Sequence, residues 1–390
     1  MAPAYLNGAI LKFEYMKILR YIAVILFFFL FLGCQTDNEK IRNVEKKSAE
    51  DPLSFNDSIV IQGVSYLRFD DLLNDKILLH NPIDLTIYVF DIKHNQLQSF
   101  HHAGRNMDDY TLLLDNLKFY NDSIVSVGKI RHINFYHING NFLFGRKVKR
   151  RHKTYAPVMH QYFLPDSVFI FMESAQGDIS RPEFYRRKDS LFTIYHLGFG
   201  PIKRFGLFPE EESVYNDKTY YYLYPMLFSV FYDKEKVYTV GANDPNLYVY
   251  RLDNGKKQSV YPLNLKHYTP FKVKFNAIKV SDSKEAWKRI LQNSTINRLY
   301  IHDSLIFIGY DKAYSADELA RNKNLDTLRL RACLQIRTFD GKIMYDKQLP
   351  YFVKDFLFYR NDSLYFMARP TQESEDRNYT VIYKVKWNAE

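Results

Sequence analysis

One short phrase recurs along this chain and limits the folds that are open to it. A turn-forming residue, an aspartate and a serine stand directly before an apolar run at residues 56–60, 121–125, 165–169, 302–306 and 361–365. Asn, Pro, Asp and Ser favour tight turns, whereas the Ile, Val, Phe and Leu that follow them favour strands. The phrase therefore predicts a series of tight turns, each of which leads into a β-strand.

A second phrase, two alternating strands joined by a polar turn, lies between these copies. Its turns include Asn139-Gly140, Asn254-Gly255 and Asp340-Gly341. Asn-Gly and Asp-Gly between alternating apolar runs are the strongest short-range signal for a β-hairpin. The aromatic content of 17%, with 32 Tyr and 31 Phe, agrees, because aromatic side chains fit a pleated, half-buried surface. An all-β domain is expected.

The two phrases together define six repeating units. The first strands of the units are predicted to begin near Ile77, Ile124, Val168, Val237, Leu305 and Leu364. These starts are 47, 44, 69, 68 and 59 residues apart. Four strands with their loops need roughly 40 to 50 residues, so the spacing predicts a six-bladed β-propeller in which three units carry insertions. A seven-bladed propeller and a pair of sandwiches are the alternatives.

The two ends of the domain are expected to meet in one blade. After residues 379–384 little chain remains, so the strand at 58–61 is expected to complete the last blade and close the ring. Ring closure by the N- and C-terminal strands leaves no open sheet edge. The least β-like stretches, residues 281–294 and 315–326, are predicted to be short helices within insertions.

The N-terminal residues indicate export. Lys17 and Arg20 precede an apolar run at 22–32, which is too short to span a bilayer core of about 30 Å. This arrangement is typical of a signal peptide, and Met16 is the expected true start. Residues 30–33, directly before Cys34, resemble the bacterial lipobox, which implies cleavage before Cys34 and lipidation of its thiol. A plain secretory signal with an incidental cysteine is the alternative.

These features divide the chain into three parts. Residues 1–33 form the signal peptide, 34–51 a lipidated cysteine with a charged, flexible tether, and 52–390 the propeller domain. Attachment to the membrane through the lipid is expected, since two or more acyl chains anchor a protein stably. The predicted location is the cell envelope, as an outer-membrane lipoprotein that faces either the periplasm or the surface. The remaining cysteine, Cys333, is expected to be buried and inert.

The chain is basic. It holds 54 Lys and Arg against 44 Asp and Glu, and removal of residues 1–33 leaves 51 against 43. For an exported protein, anionic lipid or polysaccharide is a more suitable partner than nucleic acid, which is not expected here. The densest basic run, residues 146–153, is interpreted as a solvated hairpin arm, with a polyanion site as the alternative.

The sequence contains no recognisable catalytic motif. It lacks a Gly-rich phosphate loop, a His-Glu-x-x-His zinc motif, a Cys-x-x-Cys pair and a Gly-x-Ser-x-Gly elbow. The adjacent His101 and His102 make a poor chelate, and Asp108-Asp109 and residues 210–212 are interpreted as solvated turns rather than calcium loops. No catalytic residue, metal or cofactor is therefore assigned.

An aromatic cluster is the best candidate for a binding site. Four tyrosines lie in the long insertion between the third and fourth units, namely Tyr215, Tyr220, Tyr222 and Tyr224. Tyrosine combines a flat apolar face with a hydrogen-bonding tip, which suits sugar rings and protein partners. Packing of these side chains between blades is the alternative. Arg181, Arg204 and Arg369 are candidates for the rim of a funnel.

A family resemblance agrees with this interpretation. The leader, the Asn-Asp-Ser strand starts, the phrase at 79–82 before the strand at 88–91, and the hairpin at 247–250 resemble uncharacterised Bacteroidetes lipoproteins with a TolB-like six-bladed propeller. The resemblance implies a fold and an envelope location, but no catalytic residue. We expect a monomeric scaffold without catalytic activity that binds a protein or a glycan. A propeller lyase or hydrolase acting on glycan or peptide is the alternative.

Overall fold

The strands and helices follow the predicted turns closely. A computed structural model describes residues 53–104, 106, 108–111, 117–149, 159–173, 189–208, 219–221, 228–233, 235–274, 283–322 and 324–387. The first strands along the chain are β1 (Asp57–Gln62), β2 (Arg68–Leu73), β3 (Lys76–His80), β4 (Ile87–Asp91), β5 (Gln96–Phe100), β6 (Leu117–Asn121), β7 (Ile124–Gly128), β8 (His132–His137), β9 (Phe142–Lys147), β10 (Met159–Leu164), β11 (Val168–Met172), β12 (Asp189–His196) and β13 (Gly200–Phe208).

The second half of the chain continues in the same manner. Its strands are β14 (Thr219–Tyr221), β15 (Phe228–Tyr232), β16 (Lys236–Gly241), β17 (Asn246–Arg251), β18 (Lys257–Pro262), β19 (Lys272–Lys274), β20 (Thr295–His302), β21 (Leu305–Lys312), β22 (Arg331–Thr338), β23 (Ile343–Gln348), β24 (Val353–Arg360), β25 (Ser363–Ala368) and β26 (Tyr379–Lys386). The helices are α1 (Ser283–Leu291), α2 (Ala316–Arg321) and α3 (Gln372–Asp376), with a short 3-10 turn at Leu325–Thr327.

These strands form six antiparallel four-stranded blades, which confirms the predicted six-bladed β-propeller. Blades 1, 2 and 3 are β2–β5, β6–β9 and β10–β13, and blades 4 and 5 are β15–β18 and β20–β23. Blade 6 combines β24, β25 and β26 with β1. A further two-stranded sheet joins β14 to β19, so the insertion before blade 4 pairs with the insertion before blade 5.

The two kinds of predicted turn differ in backbone geometry. Asn361 and Asp362 both have positive φ, 47° and 52°, as a two-residue turn between strands requires. In the Asn-Gly and Asp-Gly turns only the glycine has positive φ, for example 95° at Gly140, and a bulge interrupts the neighbouring ladder. These hairpins therefore have the type I turn followed by a glycine bulge.

The predicted order of strands within a unit was wrong by one strand. Ile77, Ile124, Val168, Val237, Leu305 and Leu364 lie in β3, β7, β11, β16, β21 and β25, which are the second strands of their blades. In each blade the first strand lies before the predicted turn, and the strand that had been predicted as first follows that turn. Five of the six first strands, all except β15, carry a bulge or a similar register shift, for example at Asp70, Asn297 and Lys354. Such a shift breaks the alternation by which a strand is recognised.

The first strands line the centre of the ring, because neighbouring blades meet through them. Tyr120 on β6 contacts Phe163 on β10 with ring centroids 5.0 Å apart, and Tyr162 on β10 stacks on Tyr232 on β15 at 4.9 Å. Between β15 and β20 a similar aromatic contact occurs, and β20 also packs against β24. The first strands thus surround a central channel, and the fourth strands lie at the outer edge.

Closure of the ring depends on the residues that precede blade 1. β1 pairs with β26 over six residue pairs, from Asp57 opposite Lys384 to Gln62 opposite Tyr379. Before β1, Leu53 and Phe55 pack into the core between blades 5 and 6. Within β1 and after it, buried apolar residues beginning with Ile61 pack between blades 6 and 1. The closing segment therefore holds blade 6 on both of its faces.

The connections divide the propeller into two unlike faces. Strands alternate in direction, so the turns from first to second and from third to fourth strand all lie on one face, which we call the turn face. These turns are short, such as 303–304 and 361–362. The opposite face, which we call the insertion face, carries the longer connections, whose described residues include 101–104, 219–221 and 263–274.

The insertions over blade 5 contain the two helices predicted there. α1 and α2 pack through Trp287, Leu291 and Leu319. The Trp287 indole donates to the Leu325 carbonyl at 2.9 Å, and Ser315 caps α2 in a reciprocal arrangement with Glu318. Across the described ranges, none of the helices has the length and apolar character needed to cross a bilayer.

Removal of the closing segment should destabilise the whole ring. A chain that begins at Gly63 loses β1 together with buried Leu53 and Ile61, whereas a chain that begins at Asp51 keeps them. Each buried side chain of this kind contributes about 2 to 5 kcal/mol, so the shorter chain should unfold at a clearly lower temperature and aggregate through the exposed edge of β26. Equal melting curves for the two chains would contradict closure by β1.

Candidate functional site

Charged side chains converge at the insertion-face end of the central channel, beside blades 5, 6 and 1. We call this region the mouth and define it by Arg68, Arg298, Asp311, Lys354, Asp355 and Arg369. Arg68, Lys354 and Asp355 lie at the starts of β2 and β24, Asp311 at the end of β21, and Arg369 directly after β25, whereas Arg298 is the fourth residue of β20. First strands start and second strands end at the insertion face, so the topology brings together residues that are distant in sequence.

Two bulges contribute to the polar character of the mouth. Asn297 is the extra residue of β20 opposite β21, and Lys354 is the extra residue of β24 opposite β25. A bulge leaves one residue unpaired and re-aims its side chain. The Asn297 amide then donates to Asp311 at 3.1 Å, while the Lys354 ammonium is within electrostatic reach of Asp355, Arg68 and Arg369.

Asp311 is a buried carboxyl whose protonation state is finely balanced. Only 6% of the residue is exposed, and the Thr295 hydroxyl and the Asn297 amide donate to its Oδ2 at 3.3 and 3.1 Å. Burial raises the pKa of Asp311 to about 7; the charge of Asp355 adds to the increase, whereas Arg369 and the two donors oppose it. At neutral pH this carboxyl therefore exists in both forms.

Three cations of the mouth have no carboxylate partner. Arg298, Lys354 and Arg369 form no ion pair with any carboxylate of the described ranges. Lys354 also lacks a hydrogen-bond acceptor there, and burial lowers the pKa of its ammonium although the residue remains partly exposed. A side chain in the wall of a narrow channel is surrounded by protein and is still reached by water, and Lys354 has both properties.

The guanidinium of Arg298 contacts an aromatic ring of another blade. It lies 5.0 Å from the ring centroid of Phe69. Arg298 belongs to blade 5 and Phe69 to blade 1, which are separated in the ring by blade 6, so the contact reaches across the channel. The Nε atom of Arg298 is buried and has no hydrogen-bond partner in the described structure. The cation is thus held by an aromatic face rather than by an anion.

Arg369 fixes the rim. Its Nε donates to the Tyr351 carbonyl at 2.7 Å, and its Nη2 donates to the Leu330 carbonyl. These bonds connect the loop before β24 to the long insertion of blade 5. The Tyr351 side chain is 68% exposed beside them, and its ring centroid is 5.5 Å from the guanidinium carbon of Arg369. An open aromatic face therefore borders the charged recess.

Two other buried polar pairs lie within single blades and have a structural role. Asp70 and His80 meet at 2.6 Å in blade 1, where both side chains are almost completely buried. In blade 3, Thr193 donates to Glu173, which also accepts from Arg204 at 3.4 Å. Such paired groups inside a core fix the register of strands and need no ligand.

The described residues offer no metal site and no reactive thiol. No group of three or more His, Cys, Asp or Glu side chains that could hold a metal occurs within them. His101 and His102 lie in the connection that follows β5. Cys333 is 1% exposed, and burial raises the pKa of its thiol to about 12, as expected for an inert cysteine.

The structure describes only some of the residues that the sequence analysis proposed. Cys34, Tyr215, Tyr222, Tyr224 and Arg181 lie outside the described ranges. Tyr220 lies in β14, opposite Val273 of β19. Arg369 is at the mouth, as the funnel hypothesis anticipated. Arg204 is not, because it lies on β13, the outer strand of blade 3.

Sequence reasoning did not identify the other residues of the mouth. Asp311, Lys354 and Asp355 share no linear motif. The sequence does show one feature that these residues share, a charged side chain at the end of a strongly apolar strand. Asp311 follows residues 305–310, and Lys354 and Asp355 precede residues 356–359. Such charges are unusual in a buried strand and indicate a functional recess as readily as a strand end.

Solved structures share this fold. No protein-family model and no curated protein matches the chain. A member of the DUF4221 family from Bacteroides vulgatus is similar with a TM-score of 0.63 and 16% identity, covering 87% of this chain and 98% of that one. A Bacteroides fragilis protein inferred to be exported is similar with a TM-score of 0.52 and 13% identity, covering 86% and 93%. At these identities the similarity concerns the fold.

Neutralisation of Asp311 should remove a pH dependence of stability. The folded pKa of about 7 is above the ordinary value near 4, so the folded state is favoured at low pH and loses this advantage as pH rises toward 7. Between about pH 4 and pH 8 the unfolding free energy of the natural chain should fall relative to Asp311→Asn by on the order of 2 to 4 kcal/mol.

Chemical denaturation across this pH range measures the difference. Asp376→Asn, at an exposed position at the end of α3, is the matched control and should run parallel to the natural chain. A constant difference between the natural chain and Asp311→Asn would mean that Asp311 has an ordinary pKa.

Proposed function

We propose that this chain is a lipid-anchored protein of the bacterial cell envelope whose propeller binds a protein or a glycan on its insertion face. The observation that most directly supports this proposal is the difference between the two faces of the ring. Long connections, three helices and a charged mouth lie on one face, while the opposite face has short turns. Loops on a rigid scaffold are the usual position of binding residues, so the insertion face is assigned as the binding face.

Specific contacts hold the described parts of the insertions together, and this supports the proposal that they form a recognition surface. α1 and α2 pack through a small core of their own, and Arg331 holds Glu318 at 2.7 Å while its guanidinium carbon lies 3.9 Å from the Tyr314 ring centroid. The β14 and β19 strands connect two further insertions. A surface organised before binding loses less conformational entropy when a partner arrives.

The anchoring part of the proposal is supported by the leader and by the similar structures. Residues 22–32 and Cys34 follow the pattern of a lipoprotein signal, and a fold relative from Bacteroides fragilis is inferred to be exported. A lipidated Cys34 would attach the ring to the membrane through the tether at 35–51 and leave the propeller in water.

A second function is favoured by one observation at the mouth. Asp311, with a pKa of about 7 and with Asp355 within electrostatic reach, has the properties of a general acid or base. A propeller hydrolase or lyase that acts on glycan or peptide would use such a group. Capture of partners from native membranes together with a glycan array distinguishes the two functions, because an enzyme would release altered product whereas a scaffold would retain its ligand unchanged.

Replacement of Cys34 by serine should abolish lipidation. The variant should lose palmitate label and leave the membrane fraction, since serine provides no thiol for the lipid. Cys333→Ala is the matched control, because Cys333 is the other of the two cysteines and is buried. Label and membrane association that persist in Cys34→Ser would overturn the anchor.

The tyrosines of the long insertion should contribute to binding more than to folding. Tyr220→Ala with Tyr222→Ala is expected to weaken partner or glycan capture at an unchanged melting temperature. Tyr136, which is fully buried, is the reference for a core tyrosine. Its replacement by Ala should lower the free energy of unfolding by about 3 to 5 kcal/mol. A similar loss of stability in the double variant would mean that these tyrosines belong to the core.

A further inference from the structure

The strongest unassigned feature of the molecule is the excess of positive charge at the mouth. Three cations without a carboxylate ion pair in the described ranges, Arg298, Lys354 and Arg369, lie there with two carboxylates, Asp311 and Asp355. Asp311 already accepts two hydrogen bonds and is partly neutral near pH 7. The recess therefore carries net positive charge in surroundings that solvate it poorly.

The hydrogen-bond donors of the mouth are not all used by the protein. Lys354 has no acceptor and no ion pair in the described ranges, although it is partly exposed to water. Arg298 has an Nε without a partner. An ammonium that the protein partly encloses without an anionic partner is costly, and an anionic ligand would offset that cost. Elsewhere in the same domain arginines have carboxylate partners, for example Arg331 with Glu318 at 2.7 Å and Arg360 with Asp75 at 2.9 Å.

From this geometry we propose that the mouth is a binding site for an oxyanion, a carboxylate or phosphate group carried by a small ligand, with Lys354 as its principal ion-pair partner. Arg298 adds a second cation from blade 5, and Arg369 adds long-range attraction. Arg369 acts as a positioning residue, because its donors hold the carbonyls of Tyr351 and Leu330.

The rim suggests how the rest of the ligand is held. The Tyr351 ring is 68% exposed next to the recess and provides a flat apolar surface. A sugar that carries the oxyanion would place its ring on Tyr351 and its charged group on Lys354, as aromatic platforms and cations commonly share such ligands. This inference deepens the proposed function, since it rests on the insertion face as the binding face.

Calorimetric titration with three probes at equal ionic strength tests the site: glucuronate, inorganic phosphate and glucose. Glucuronate or phosphate should bind and glucose should not; the probe that binds more tightly identifies the carboxylate or the phosphate as the preferred group. Lys354→Gln should weaken binding at least tenfold. Lys342→Gln, the same change at an exposed position on the turn face, should have no effect.

A second variant keeps the test independent of folding. Tyr351→Ala removes an exposed ring and should weaken glucuronate binding while phosphate binding is unchanged. Glucose binding as tight as glucuronate binding, the absence of binding by both anions, or natural affinity in Lys354→Gln would each overturn the proposal. Normal anion binding by a natural chain that captures no protein or glycan partner would instead reject the proposed function and leave the oxyanion site standing.

Discussion

The pairing of β1 with β26 is the interaction on which the rest of this structure depends. A propeller blade is stabilised by a neighbour on each side, and a ring that lacks one joint has two exposed blade faces and a free strand edge. Here the joint is made by residues separated by almost the whole chain, with six residue pairs and with apolar side chains on both faces of blade 6. The cooperativity of the ring follows from this closure.

The same joint positions the charged mouth. Lys354 and Asp355 belong to blade 6, Arg68 to blade 1 and Asp311 to blade 5. If blade 6 were held on one face only, these charges would separate and become hydrated. Closure therefore keeps Lys354 partly enclosed and Asp311 buried. Ligand binding at the mouth and stability of the β1 pairing should be thermodynamically linked, because a ligand that binds only the closed ring stabilises it.

The blades could be predicted from the sequence because each hairpin turn is determined by a few neighbouring residues. Asn361 and Asp362, or Asn139 and Gly140, determine a hairpin through the backbone angles that these few residues adopt. The first strand of each blade was missed because its pattern is set by tertiary position. At Lys354 and Asn297 a bulge adds a residue beside the channel, and alternation of apolar and polar residues is lost. The six-bladed count was predictable, but the assignment of strands within a blade was not.

The mouth was hidden from sequence for a related physical reason. Its charges come from three blades, and no spacing along the chain encodes their approach. The feature that marks the site is that no carboxylate of the described residues forms an ion pair with Lys354 or Arg298, and this depends on what surrounds them in space. Replacement of these cations by apolar groups of similar size would be expected to favour folding, since buried charges are costly without a partner. Keeping Lys354 and Arg298 enclosed beside the channel therefore costs stability, and an incoming oxyanion would offset that cost.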